Sequence, residues 1–146
     1  METYEFVKQV HSILRYFVFA LLIINIVKCL MGWVGRRDYE AIDKRLSLYL
    51  LITTHTQLLL GLILYGWWAS VSGAFNDMGT TMKSPALRFI AVEHITMMLL
   101  AVAFITIGHV RAKRLLDYTA KFKNATIFFT LAFILIMVGA RNWFWQ

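Results

Sequence analysis

A bundle of four membrane-spanning α-helices is the fold class predicted by three features of the sequence. Of its 146 residues, 60% are hydrophobic and only 16% charged, against about 45–50% and about 25% in soluble domains. Four apolar stretches, 10–34, 46–71, 86–110 and 125–145, are each long enough to cross about 30 Å of hydrocarbon at about 1.5 Å per residue. A single proline and 8 glycines argue against a loop-rich or repeat-built chain. The chain therefore reads as one transmembrane domain over 1–146, too short for the large transporter and receptor bundles and without a separate catalytic domain in water.

The first stretch follows a leader with Glu2 and Glu5 against Lys8 and is not followed by a small-residue cleavage site, so it is expected to be retained rather than removed as a signal peptide. The second follows a loop carrying Arg36, Arg37, Lys44 and Arg45. Residues 72–83, SGAFNDMGTTMK, have the composition of a surface loop. Ser84-Pro85 opens the third helix with a capping residue and then proline, whose missing N–H is harmless at the first helical position. Arg111, Lys113, Arg114, Lys121 and Lys123 precede the fourth.

Nine of the 15 basic residues thus sit in two loops on one side of the bundle, the arrangement expected of a cytoplasmic face. Both termini and the 72–83 loop are then expected on the non-cytoplasmic side, with Trp67, Trp68, Trp143 and Trp145 as an aromatic belt, in the inner (cytoplasmic) membrane. Topology and anionic lipid account for the net charge of +7, and nucleic acid is not an expected partner. The lone Cys29 excludes an intrachain disulfide, a zinc or iron–sulfur Cys pair and a covalent haem attachment site.

Polar groups inside spans are costly and need partners, cofactors or water. His11, Arg15, Asn25 and Cys29 lie near one face of the first helix, His55 inside the second, and Glu93 and His94 inside the third. Counting about 1.5 Å per residue from the basic ends places Arg15 and Glu93 at nearly equal depth, and they are expected to pair. On that count His11 and His94 lie farthest from the basic surface, His55 about midway, and His109 at the basic surface as an interface residue. Neither H-E-x-x-H nor repeated E-x-x-H occurs, so zinc protease and carboxylate di-iron chemistry are set aside.

Haem b requires one or two neutral imidazoles facing an apolar slot, with cations near the propionates. His55 is expected to face inward with Leu58, Leu59, Leu62 and Gly66, and His94 with Met97, Met98, Ala101 and Ile105. His55 and His94 are the expected axial metal ligands, with His11 as a further candidate and Arg15 beside a propionate. Met97 or Met98 is another candidate sixth ligand, though the pair also reads as core filling.

Three segments, H-S-x-x-R-Y at His11–Tyr16, T-H-x-Q-x-x-x-G-L-x-L-Y at Thr54–Tyr65 and E-H-x-x-M-M at Glu93–Met98, resemble those of small four-helix cytochrome b-like bacterial membrane proteins. That resemblance runs along nearly the whole chain and implies b-type haem and electron transfer. The four histidines do not make the two level pairs of a two-haem cytochrome b, so a single haem is expected. The expected role is electron transfer between a quinol pool and a membrane redox partner, as a carrier or subunit rather than a stand-alone enzyme, alone, as an oligomer or in a larger complex. The alternatives are a cofactor-free structural or assembly subunit, or a copper or proton-transfer role for the His and Met side chains.

Overall fold

A computed structural model describes residues 2–141, and these are helical almost throughout. Helix α1 runs Glu2–Val34 and α2 Ala41–Ser72, followed by a short α3 at Met78–Lys83. Helix α4 covers Pro85–Arg114 and α5 Tyr118–Gly139. All but α3 are long and apolar enough to cross a membrane, so the fold is an all-α, four-helix transmembrane bundle that contacts lipid. Neighbours in sequence pack antiparallel and α5 closes the ring against α1, leaving α1 and α4 on one diagonal and α2 and α5 on the other.

The helices outrun the apolar stretches in several places. Helix α1 begins at Glu2, eight residues before the expected start, and Ala41 replaces 46 as the start of α2. Helix α5 begins at Tyr118, capped by the Asp117 carboxylate on the Ala120 N–H. The expected end of the fourth span, including Trp143 and Trp145, lies outside the described residues.

The 72–83 segment is also more ordered than a surface loop. Gly73 ends α2 at φ 64°, a left-handed cap for which glycine is suited. Ala74 is buried and its carbonyl accepts from the Thr81 hydroxyl at 2.6 Å. Asp77 caps α3, accepting from the Thr80 hydroxyl and N–H, which hold its carboxyl below the usual range. The cap is therefore fully formed above the ordinary carboxylate pKa and is lost as pH falls through the lowered value.

The basic-loop end is closed by one aromatic ring. Phe122 of α5 is fully buried on Gly32 of α1, where a Cβ would lie 2.6 Å from the ring. The Arg37 guanidinium stacks over that ring at 4.7 Å and grips Asp43 of α2 through two bonds of 2.7 and 2.8 Å. Tyr39 packs on the same ring at 4.9 Å, and burial pushes its phenol up, so it stays neutral.

Buried polar contacts lie one layer further in. Asn25 donates to the carbonyls of Leu21 and Leu46, Asn124 donates to the Gly108 carbonyl, and Ser47 bonds His109 Nδ1 at 2.8 Å. His109 is thus a buried link between α2 and α4 and not the expected surface residue.

Because the Gly32 contact has no slack, Gly32→Ala should destabilise the bundle by about 1–3 kcal/mol through overpacking. Gly66→Ala, which adds a Cβ with nothing within 4 Å, should be nearly neutral. Thermal melts in one detergent compare the two, and equal losses would contradict the assigned packing.

Candidate functional site

Away from the basic loops the four spans diverge around a cavity of about 410 Å³, within the about 300–1,000 Å³ typical of small-molecule and cofactor sites. Its walls are largely apolar, including Val18, Leu58, Ile95 and Met98. An aromatic rim of Tyr65, Trp68 and Phe75, with ring centroids 6.1–6.3 Å apart, stands at one side. Lys8, Ser12 and Arg15 bring polar groups to the same cavity from α1.

His11 and His94 both line this cavity, from the diagonally opposed α1 and α4. His94 Nδ1 bonds the Gly139 carbonyl of α5 at 2.8 Å. A carbonyl can only accept, so Nδ1 carries the proton and Nε2 the lone pair, the tautomer that second-shell bonding fixes in metal-ligating histidines. The His11 ring sits against Gly61 of α2, whose added Cβ would approach Cε1 to 3.2 Å. His11 Nδ1 is buried without a hydrogen-bond partner among the described residues.

A π-helical segment at Phe89–His94 sets the α4 wall. Its wider turn leaves a carbonyl at Ala91 that accepts from the Tyr65 hydroxyl of α2 at 2.8 Å. Gln57 likewise donates to the His11 carbonyl at 2.9 Å, tying α2 to α1. Three cross-span bonds thus hold the cavity walls, with His94–Gly139 as the third.

The histidine expected to lead the site lies elsewhere. His55 is exposed on the outer face of α2, with Nδ1 bonded to its own helix at the Leu51 carbonyl, 2.8 Å away. It does not line the cavity, nor do Leu59 and Gly66, which are also on the outer side. Thr54, one residue earlier, is buried and takes the inward position. The expected juxtaposition of His55 with His94 is therefore corrected to one of His11 with His94.

Arg15 does not pair with Glu93. Glu93 accepts from Arg88 Nε at 2.8 Å and makes a short bond to Arg141 beyond the end of α5. Arg15 reaches only the hydroxyl and ring of its neighbour Tyr16, its Nε is buried without a partner, and it has no carboxylate partner among the described residues. Met97 and Met98 pack on Gly139, as core filling requires, and Met98 also reaches the cavity.

Among the described residues, no three His, Cys, Asp or Glu side chains gather where they could hold a bare metal ion. The chain matches no family model, no curated protein and no solved structure.

Glu93 and Arg141 should behave as a coupled pair. Glu93→Gln and Arg141→Met are each expected to lower the melting temperature, and the double variant to lose less than their sum. Arg15→Met with Glu93→Gln should be additive, and coupling there would contradict the arrangement of these charges.

Proposed function

We propose that this protein binds one haem b in the bundle cavity and carries single electrons within the membrane. The observation that carries the reading is the pair His11 and His94, which face one apolar cavity from opposite spans. The residues present suit the group. Both imidazoles belong to the cavity wall, His94 with its proton fixed on Nδ1 by the Gly139 carbonyl and His11 with its ring against Gly61. Arg15 lacks a carboxylate among the described residues, as a cation reserved for a propionate would. The resemblance of the His11–Tyr16, Thr54–Tyr65 and Glu93–Met98 segments to cytochrome b-like proteins supports the same reading.

When bound, haem would supply a one-electron iron couple whose potential responds to axial ligation and burial. The remaining work belongs to the chain. Gly139 and Gly61 orient the two imidazoles, the cavity walls exclude water, and Arg15 offsets negative charge in a medium where an unpaired charge is costly. A membrane-diffusible quinol is a fitting donor for a site within hydrocarbon, with a membrane protein as acceptor.

The two cation-rich loops lie at the end opposite the cavity, so we assign them to the cytoplasm and the cavity to the non-cytoplasmic half of the inner membrane. A reporter fused after Gln146 should accordingly be active only outside the cytoplasm. Cytoplasmic activity would reverse the assignment.

A second reading, a cofactor-free subunit of a larger complex, is favoured by His55. An imidazole exposed at the midpoint of a span is expensive in lipid and suits contact with another protein's helix.

Absorption spectra of protein purified from haem-replete cells separate the two. The wild type should show a Soret band and low-spin reduced bands, lost in His11→Ala and in His94→Ala and unchanged in His55→Ala. A wild type without haem would end the electron-transfer reading, and loss in His55→Ala alone would move the ligand.

A further inference from the structure

Between the cavity and the basic-loop end, each span contributes a large, fully buried apolar side chain, Leu22, Leu50, Ile105 and Phe129, all 0% exposed, with Ala132 equally buried one turn from Phe129. In every span this large residue falls between a cavity-lining position and a buried polar one. In α1 these are Phe19 and Asn25, in α2 Thr54 and Ser47, in α4 Val102 and His109, and in α5 Ile136 and Thr126. An apolar layer thus separates the cavity, whose few polar groups include Thr54 and Gln57, from a set of buried polar side chains nearer the basic loops.

Unsatisfied polar atoms face this arrangement from both sides. On the basic side, His109 is 4% exposed and bonded to Ser47 through Nδ1, yet its Nε2 is buried without a partner among the described residues, as is Thr126 Oγ1. On the cavity side Gln57 Oε1 is in the same condition. Buried polar atoms of this kind are where internal water binds.

Helix α2 runs from one set of polar groups to the other. Asp43, Ser47, Leu50, Thr54 and Gln57 recur at spacings of four and three along its inner face, and Leu50 alone among them is apolar. Asp43 marks the basic end, held by Arg37 and near Lys28, and Lys113 lies one turn beyond His109 on α4.

We propose that the inner face of α2 is a proton path between the basic-loop end and the cavity, closed at Leu50 by the apolar layer. Thr54 and Ser47 are about 10 Å apart along the helix, too far for direct transfer, so protons cross only when water enters the layer. The Ser47 hydroxyl and the His109 imidazole each take up one proton on one side and release one on the other, and end unchanged. The path does not depend on what occupies the cavity.

Proton flux into pyranine-loaded vesicles under a potassium diffusion potential tests this directly. Leu50→Ser should raise the flux about tenfold or more over wild type by wetting the layer. Adding His109→Leu or Ser47→Ala should return it to near the wild-type rate, whereas Leu59→Ser, on the exposed face, should leave it unchanged. Should Leu50→Ser not insert, Leu50→Thr, which keeps a branched shape, serves in its place. A Leu50 variant that is helical, inserted and as tight as wild type would overturn the path. So would a leak that survives His109→Leu.

Discussion

Hydrocarbon offers no hydrogen bonds, so every polar atom carried into it must find a partner inside the protein. In this bundle that requirement holds the cavity open. Three bonds made by Gln57, Tyr65 and His94 each reach a main-chain carbonyl on an adjacent span and tie α2 to α1, α2 to α4, and α4 to α5. The walls are fixed by these links and not by apolar side chains meeting in the middle, so the volume between them remains available. One link is itself made by a histidine proposed to serve the site. Fixing the wall and fixing the His94 tautomer are one interaction.

The opposite half of the bundle uses close packing. Gly32 admits the Phe122 ring and Gly108 admits Phe129, pairing the smallest residue with a large one where α5 meets its neighbours. Arg37 then covers Phe122 and binds Asp43, so a loop cation, an aromatic ring and an acidic side chain of α2 form one unit. A rigid closed half supports an open half. The division follows chain order, with the compact part next to the two short connections and the cavity next to the longer 73–84 segment.

The number and order of spans were legible because apolar length alone decides them. Their ends were less so, since Glu2, Glu5, Lys121 and Lys123 break the apolar runs without breaking the helix. The site was legible in residue type but not fully in direction. Residues 53–57 read Thr-Thr-His-Thr-Gln, five polar side chains covering all azimuths of the helix, so polarity could not choose which one faces inward. Thr54 and Gln57 do, and His55 does not. Depth counting brought Arg15 and Glu93 level but could not foresee competing cations. Arg88 lies five residues before Glu93, a spacing that meets only where the helix widens. Nothing in the sequence marked that widening.

The widened turn at Phe89–His94 also bears on how this span can change length. A π turn is an α-helix holding one surplus residue, so losing a residue there would restore ordinary α geometry while leaving Ile95–Arg114 in register with α5. The segment before it would keep its direction, but the offset that brings Arg88 to Glu93 and leaves the Ala91 carbonyl for Tyr65 would be lost. Relatives differing by a single deletion here would keep the bundle and alter its mouth, which makes this turn a point where lineages of the fold can diverge without unfolding.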